Sequence, residues 1–450
     1  MLRQGDLICL DIVGLAAGDG DGVGRTDAGL VVFVPGAVPG DRLEVRIVHL
    51  RREHALGKIV RVIAPAGDRL HPACAVADRC GSCQWQTVAY QRQLEEKRTQ
   101  VIDALVRIGG FPDPPVLPVL AQPRPLGYRN KSTFPVGRDQ RSGLLVGYYR
   151  RDSHHIVDLA ACPVQDPRLD GLLAAAREVI RRAGWVPYDE ARHTGILRHL
   201  AIRVGERTGE LLLTFVVRED LLPGVEAAAA RLQKQFPALV GVALNVNPKR
   251  GNTIFGEATR TVAGRPYLEE VFDGFTFRIE PTTFFQICTS QAEAMARLVV
   301  DWAAPEPSDT VIDAYCGIGT LSLPLARRAG VVVGIESHLR SVEQARGNAL
   351  RNGLANCRFE VGAVEERLEK FQGAGVVVLD PPRRGAEPSV LEAIVRAAPR
   401  RMIYVSCNPA TLARDLKMLA AGGYHLRAVQ PVDLFAQTCH VESVARLERR

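Results

Sequence analysis

The sequence has no apolar stretch that approaches the ~18 residues needed to span a bilayer. Its opening residues, MLRQGDLICLDI, reach Asp6 and Asp11 before an apolar signal core could form, which predicts no secretion. No internal repeat or low-complexity tract is present. Hydrophobic residues make up 46% and charged residues 24%, a composition that excludes a disordered or fibrous protein. We therefore expect a globular, cytoplasmic protein without a membrane partner, and 450 residues predict roughly two to four domains.

The chain also lacks a strong charge of one sign. Its 57 Lys and Arg against 50 Asp and Glu leave a formal charge of +7, which is compatible with almost any partner. The segment 124–151 departs from this balance, because Asp139 is its only acid and Tyr and Phe are interleaved with its basic side chains. The basic residues are Arg124, Arg129, Lys131, Arg138, Arg141, Arg150 and Arg151. This pattern favours phosphate pairing and base stacking on RNA, although a solvated hairpin would have the same composition.

The ten cysteines are unevenly spread, since Cys74, Cys80 and Cys83 fall within ten residues. Disulfides are rare in the reducing cytosol, so a cluster of thiols in a cytoplasmic chain predicts a metal site. The spacing C-x5-C-x2-C is compatible with zinc as well as with an iron–sulfur cluster.

The first half of the chain predicts two kinds of domain. Strands separated by Gly, Pro and Asp turns are expected at 31–35, 42–48 and 57–63, which predicts a small closed barrel of the OB kind. A helix is expected over 89–110, where apolar residues recur at helical spacing. Alternating apolar residues between 127 and 260 then predict an antiparallel α+β domain.

The hydrophobic pattern of the sequence changes from about residue 281, where it predicts helices that alternate with buried strands. The β-branched runs at 310–316, 331–336, 376–380 and 402–407 are each followed by a helical segment. Such a pattern predicts a Rossmann-like α/β domain, built on a parallel, doubly wound sheet.

A cofactor site is predicted where the first of these strands ends. Tyr315-Cys316-Gly317-Ile318-Gly319-Thr320 precedes a helical segment, and Glu336 ends the next strand, where an acid can hold two ribose hydroxyls. The third glycine of a dinucleotide fingerprint is missing, since position 322 is Ser. S-adenosylmethionine, which has a ribose but no phosphate, fits this pattern better than NAD. A purely structural strand–helix turn would look similar.

A nucleophile is predicted at the end of a later strand. Cys407 lies between the strand 402–407 and a helix that begins near Pro409, where peptide dipoles lower a thiol pKa. Asp380 and two prolines follow the preceding strand and suit a loop that clamps a planar base. A buried, inert cysteine is the alternative.

A thiolate has a use in methylating uracil. Carbon 5 is a poor nucleophile, but thiolate addition to carbon 6 gives the ring an enolate whose charge reaches carbon 5. A base must afterwards remove the proton from carbon 5. Glu442 is an available carboxylate, although its spacing alone does not distinguish it from a surface Glu.

Five motifs together resemble the RNA uracil-5-methyltransferase family of the TrmA and RumA type. They are FFQ at 284–286, DAYCGIGT at 313–320, LDPPRRG at 379–385, SCNPATLARD at 406–415 and HVES at 440–443. The resemblance implies a class I methyltransferase domain in which Cys407 attacks uracil and Glu442 is the base. It further implies that S-adenosylmethionine is surrounded by Gln286, Tyr315, Thr320, Glu336, Ala363 and Asp380.

The N-terminal residues 20–41 resemble a TRAM domain, an RNA-binding barrel. Cys74, Cys80, Cys83 and Cys162 match the four cysteines that hold a [4Fe–4S] cluster in the members that modify 23S ribosomal RNA. The resemblance therefore favours 23S ribosomal RNA over transfer RNA. Two positions depart from the family: Cys288 replaces the usual Asn, and Thr320 stands where many members have Asn.

These inferences predict three domains in a monomer. They are a TRAM barrel at 1–67, a central iron–sulfur α+β domain at 68–270, and a methyltransferase domain at 271–450. The helical segment near 88–110 is expected to pack on the methyltransferase domain. Three alternatives remain: a tRNA uracil-5-methyltransferase, a non-catalytic iron–sulfur RNA-binding protein, and a cytosine-5-methyltransferase, whose nucleophile usually follows Pro rather than Ser406.

Overall fold

The computed structural model describes residues 2–139, 143–371 and 373–449, so Arg141 of the basic segment lies outside the described residues. The strands are β1 (Leu7–Leu15), β2 (Gly22–Arg25), β3 (Val31–Val34), β4 (Arg42–Leu50), β5 (His54–Ala64), β6 (Lys131–Asp139), β7 (Gly143–Tyr149), β8 (Ile156–Asp158), β9 (Leu197–Val204), β10 (Leu211–Val217), β11 (Leu239–Val246), β12 (Ala258–Gly264), β13 (Leu268–Phe272), β14 (Phe275–Ile279), β15 (Thr310–Ala314), β16 (Val331–Glu336), β17 (Cys357–Val361), β18 (Val376–Leu379), β19 (Arg401–Ser406), β20 (Tyr424–Val432) and β21 (Glu442–Arg449).

Helices lie between several of these strands, and in the second half of the chain helices and strands alternate. The helices are α1 (Tyr90–Ala104), α2 (Arg168–Ala183), α3 (Val225–Gln235), α4 (Thr289–Ala303), α5 (Ser322–Ala326), α6 (Leu339–Arg351), α7 (Val364–Leu368), α8 (Pro388–Ala397) and α9 (Pro409–Ala421), with a π-helical turn at Leu105–Gly109 and a 3₁₀ turn at Glu369–Phe371. Across the described ranges, no helix has the length and apolar character needed to cross a membrane.

The first five strands close into a barrel in the order β1-β2-β3-β5-β4. Alternate residues of β4, Leu43, Val45 and Ile47, point inward and are buried. At Gly57 of β5, a Cβ would lie 2.3 Å from Val45 Cγ1, so the tight barrel interior requires glycine there. The prediction of a small closed barrel is confirmed.

The middle of the chain forms a seven-stranded sheet in the order β12-β11-β10-β9-β6-β7-β8. Leu200 and Ile202 of β9 and Phe215 of β10 share one core with α2 and α3, because alternate residues of a strand face the same side. One strand pair differs from the predicted antiparallel arrangement. Strands β10 and β11 are parallel, since α3 carries the chain from the end of one to the start of the next.

A second seven-stranded sheet has the order β17-β16-β15-β18-β19-β21-β20. Its first five strands are parallel, and successive residues contribute to cores on opposite faces, as Val311 and Ile312 do. The predicted doubly wound parallel sheet is confirmed. The antiparallel hairpin β20–β21, which completes the sheet beside β19, was not predicted.

Helix α1 precedes the middle sheet in the chain, yet it packs on the parallel sheet beside α9. Lys97 on this helix is fully buried, and its Nζ lies 2.5 Å from Asp433 Oδ1 and 3.0 Å from the carbonyl oxygen of Phe435. Burial lowers the pKa of Lys97, and the charge of Asp433 opposes that change. The hydroxyl of Tyr90 donates to the other oxygen of Asp433 at 2.6 Å. The helix at residues 90–104 and the loop after β20 therefore meet around one buried ion pair.

Candidate active site

The loop after β15 forms one side of the candidate site. Tyr315, Gly317 and Gly319 have left-handed φ values of 66°, 55° and 91°. A Cβ on Gly317 would meet nothing within 4 Å, whereas one on Gly319 would lie 2.8 Å from Leu323. The loop therefore leaves open space beside its backbone at Gly317, where a ligand can approach closely.

Glu336 lies directly beside this loop. Its Oε2 accepts a hydrogen bond from the N–H of Gly317 at 3.3 Å, and its Oε1 accepts one from His338 at 2.8 Å. The N–H of Gly362 donates to the carbonyl of Glu336 at 3.1 Å, which brings Ala363 to the same sheet edge. A fixed carboxylate beside an open glycine loop fits the ribose of S-adenosylmethionine.

The remaining predicted cofactor residues lie on three loops. Thr320 closes the glycine loop and is half-buried, and Asp380 follows β18 on the next parallel strand. Gln286 lies on a separate loop before α4, where its carbonyl accepts from Asn130 Nδ2 at 3.0 Å.

Cys407 and Glu442 come together because β19 and β21 pair. Ser406 is the register partner of Ser443 in this antiparallel pair. Cys407, which follows Ser406, therefore lies beside Glu442, which precedes Ser443. Burial, followed by the charges of Glu442 and Asp380, raises the pKa of Cys407 to about 11. Burial and the charge of Asp380 raise the pKa of Glu442 to about 8. One thiol and two carboxyl groups therefore share a water-poor environment.

The electrostatics correct one expectation. The N-terminus of α9 was predicted to lower the pKa of Cys407. Burial and the two nearby carboxyl groups, Glu442 and Asp380, instead raise this pKa and outweigh the helix dipole. The predicted direction of the pKa shift is therefore wrong. Asn408 does cap this helix, because its Oδ1 accepts from the N–H of Ala410 at 3.1 Å. Its Nδ2 donates to the carbonyl of Arg383 at 3.1 Å and ties the two loops together.

Two neighbouring groups were missed as functional candidates from the sequence. The charge of Arg383 lowers the pKa of both Cys407 and Glu442, in opposition to burial. Burial, followed by the charge of Arg383, lowers the pKa of His440 to about 4, so this side chain is neutral at physiological pH. The only signal for both was their place inside the LDPPRRG and HVES motifs.

The departure at Cys288 has a structural explanation. The thiol is buried before α4, and Gln122 Nε2 lies 3.0 Å from its sulfur. Cysteine thus keeps a polar contact at a position where the family usually has Asn.

The four predicted metal ligands are free thiols on two neighbouring loops. Burial raises the pKa of Cys83 to about 11, and the charges of Cys162 and Cys80 act in the same direction, so these three sulfurs lie near one another. Cys74 likewise raises the pKa of Cys162, after the larger effect of burial. Within residues 2–139, 143–371 and 373–449, no group of three or more His, Cys, Asp or Glu side chains is arranged to hold a metal. The metal site stays a prediction.

A cavity of about 1100 Å³ lies between the barrel, the cysteine loop and the middle sheet, and it reaches His440. Arg138, Tyr149 and Arg150 of the basic segment line it. Tyr149 stacks on His154, with ring centroids 5.2 Å apart and an interplanar angle of 24°.

Other residues of the basic segment do not face solvent freely. Arg151 pairs with Asp21 of the barrel. Burial and the charge of Arg203 lower the pKa of Lys131 to about 7, and its Nζ lies 5.0 Å from the centre of the Phe255 ring. The segment therefore combines surface contacts with core contacts.

The parallel sheet, the glycine loop and the acid at its edge define a nucleotide-cofactor enzyme, and the barrel adds a domain type that binds nucleic acid. A family model of tRNA (uracil-5-)-methyltransferases matches residues 257–450, and a model of the TRAM domain matches residues 4–60. An RNA methyltransferase of Gloeobacter violaceus is 62% identical over 448 residues, which are 100% of this chain and 98% of the relative. One of Nostoc sp. is 49% identical, over 99% of this chain and 97% of the relative.

Among solved structures, the tRNA (uracil-54, C5)-methyltransferase of Pyrococcus abyssi, in complex with S-adenosyl-L-homocysteine, superposes with a TM-score of 0.79. It is 28% identical, and the match covers 98% of this chain and 100% of that one. The chain belongs to the RNA uracil-5-methyltransferase family, and it is an S-adenosylmethionine-dependent RNA methyltransferase.

The raised thiol pKa predicts a pH-dependent reactivity. At pH 7.5 Cys407 should react with iodoacetamide more slowly than the exposed Cys9, because a thiol with a pKa near 11 holds little thiolate. At pH 9 the carboxyl of Glu442 is ionised, since its pKa is about 8. Glu442→Gln should then speed alkylation of Cys407 by roughly two- to tenfold, because it removes a repelling charge.

Peptide mass spectrometry of alkylated protein measures both rates in one digest. Glu448→Gln, on the same strand but ion-paired with Arg446, serves as the matched control and should leave Cys407 unchanged. Equal rates for Glu442→Gln and the unaltered protein at pH 9 would contradict the coupling.

Proposed function

We propose that this enzyme methylates carbon 5 of uracil in RNA, with Cys407 as the nucleophile and Glu442 as the base. The observation that carries the proposal is the pairing of β19 with β21, which places Cys407 beside Glu442, while the N–H of Asp380 donates to the carbonyl of Ala314, just before the glycine loop, at 3.3 Å. S-adenosylmethionine, when bound, supplies an electrophilic methyl group. The residues that would hold it are Gln286, Tyr315, Thr320, Glu336, Ala363 and Asp380.

The reaction begins when Cys407 loses its proton to solvent and its sulfur bonds to carbon 6 of uracil, whose C5–C6 double bond opens. Arg383 favours this step, because its charge lowers the pKa of the thiol. The electron pair released from the C5–C6 double bond makes carbon 5 nucleophilic, so that it would displace the donor methyl group, whose bond to the sulfonium sulfur breaks and leaves a neutral thioether, S-adenosylhomocysteine. Glu442 then removes the proton from carbon 5, the double bond re-forms, and the S–C6 bond breaks. Because burial raises the pKa of Glu442 to about 8, its carboxylate is a stronger base than an exposed Glu.

The two catalytic residues should differ in what accumulates. Cys407→Ala should form no covalent RNA adduct and should not methylate. Glu442→Gln should still add to uracil and methylate it, but elimination should slow by roughly 10²–10⁴-fold, which traps methylated RNA on Cys407. Denaturing electrophoresis measures the adduct.

The adduct should be absent from the Cys407→Ala, Glu442→Gln double mutant. A Glu442→Gln enzyme that turns over normally would mean that another group is the base, and Asp380 would be the next candidate.

We propose 23S ribosomal RNA as the substrate. The TRAM barrel and the four cysteines support this choice, because the ribosomal-RNA members of the family combine both features. Transfer RNA is the second candidate, since the Pyrococcus abyssi enzyme of similar structure is a tRNA methyltransferase. The cavity of about 1100 Å³ would hold unpaired nucleotides near the target, with Tyr149 and His154 available for stacking.

Nucleoside mass spectrometry on RNA from a gene-deletion strain separates the two substrates. We expect 5-methyluridine to be lost from 23S ribosomal RNA and restored by the unaltered gene but not by Cys407→Ala. Loss from transfer RNA alone would favour the second candidate.

We further propose that Cys74, Cys80, Cys83 and Cys162 hold a [4Fe–4S] cluster. The four thiols are free, and thiolates are the soft donors that hold iron–sulfur clusters, but in the described residues they are not arranged as a metal-holding group. The nearby charge of Arg129 lowers the pKa of Cys83 and Cys162, in opposition to burial, and so favours their thiolates.

Anaerobically purified protein should be brown and contain iron and sulfide. Cys162→Ser should lose both, whereas Cys9→Ser, which alters an exposed thiol of the barrel, should keep them. Iron and sulfide assays with visible absorbance measure the difference. A colourless protein with stoichiometric zinc would contradict the proposal.

The remaining expectations are proposals of the same kind. We propose that the enzyme acts as a cytoplasmic monomer, with domain boundaries after residues 67 and 270.

A further inference from the structure

The loop that leads into Glu442 is anchored by side chains from the first third of the chain. It runs from the end of β20 to the start of β21, so Glu442 is the first residue after it. Near its start, Lys97 binds Asp433. Near its middle, the hydroxyl of Tyr128 donates to the carbonyl of Ala436 at 3.0 Å. The position of Glu442 therefore depends on residues far from it in sequence.

Gln93 on α1 provides the most extensive of these anchors. Its side chain is fully buried. Its Oε1 accepts from the backbone N–H of Gln437 at 3.0 Å, and its Nε2 donates to Oε1 of Gln437 at 3.1 Å. The same Nε2 lies 3.0 Å from the carbonyl of Trp85 and 2.8 Å from that of Val88. One amide group thus joins α1, the end of the cysteine loop and the loop before Glu442.

Gln437 has a backbone conformation that needs such support. Its φ of 69° lies in the left-handed region, which is unfavourable for a non-glycine residue and persists only where the surroundings hold it. The backbone N–H of Trp85 donates to the carbonyl of Gln437 at 3.0 Å. Both the N–H and the carbonyl of Gln437 are therefore hydrogen-bonded, one on each side of its Cα. This fixed residue sets the direction in which residues 438–442 continue.

We propose that Gln93 is a positioning residue for the elimination step, which acts through Gln437 to keep Glu442 within reach of the proton on carbon 5. The inference rests on the proposed role of Glu442 as the base. Addition and methyl transfer depend on Cys407 and the glycine loop, to which Gln93 makes no hydrogen bond in the part of the chain described. Loss of Gln93 therefore slows release of the methylated RNA more than it slows methylation.

The test compares Gln93→Ala with the unaltered full-length enzyme, using RNA that contains the target uridine. We expect steady-state turnover to fall by about tenfold to a hundredfold, because small displacements of a catalytic group have effects of this size. The KM for RNA should fall in parallel, so that kcat/KM stays nearly unchanged, because the slowed step follows covalent addition. A covalent adduct carrying methylated uracil should accumulate on denaturing gels, a signature that general loss of stability does not produce.

Two further variants make the test decisive. Gln100→Ala is the matched control, since Gln100 is a buried glutamine of the same helix whose Nε2 has no hydrogen-bond partner in the described structure. It should behave like the unaltered enzyme. Tyr128→Phe removes only the hydrogen bond to Ala436 and should accumulate a smaller amount of adduct. If Gln93→Ala fails to fold, Tyr128→Phe decides the question.

The outcomes separate this inference from the function on which it rests. If Gln93→Ala and Tyr128→Phe turn over like Gln100→Ala while Glu442→Gln accumulates adduct, the positioning role is wrong. The same holds if Gln93→Ala loses methylation without forming adduct. If Glu442→Gln accumulates none, the assignment of the base is wrong instead.

Discussion

The fold depends on one buried ion pair, between Lys97 of α1 and Asp433 of the loop after β20. Neither group is exposed, so each charge relies on the other and on the hydrogen bonds from Tyr90 and to Phe435. Removing one partner of such a pair typically costs about 3–5 kcal/mol, because the other charge stays buried without compensation. The pair therefore selects a single arrangement of α1 on the parallel sheet, and the loop that carries Glu442 follows from it.

Burial also controls the protonation of the active site, where β18, β19 and β21 end or begin. Cys407, Glu442 and Asp380 all have raised pKa values, because water is scarce there and each carboxyl disfavours a neighbouring negative charge. Arg383 is the cation that opposes this effect on Cys407 and Glu442. The resting site is thus poised with its protons on, and the arrival of substrate must favour their removal.

Patterns of neighbouring residues in the sequence predicted the features whose formation depends on those neighbours. The parallel strands, the glycine loop and the position of Cys407 at a strand end were visible, since each depends on neighbours in sequence. The direction of the Cys407 pKa was not, because it is set first by burial in the tertiary structure and then by Glu442 and Asp380, which lie far from Cys407 in sequence. Nothing in the sequence distinguished Lys97 and Gln93 from other polar residues of their helix, and only the tertiary structure shows what they contact. The parallel pairing of β10 and β11 was missed for the same reason.

The ion pair between residues 97 and 433 also has a consequence for biosynthesis, since its partners are 336 residues apart. The barrel can close as soon as its own strands leave the ribosome, but α1 has to wait for a partner that is still to be translated. At about 5–20 residues per second, that interval is roughly 20–70 s. During it, the apolar face of α1 and its lysine lack their native cover and are open to chaperones. The active site, which includes Glu442, can therefore assemble only near the end of translation.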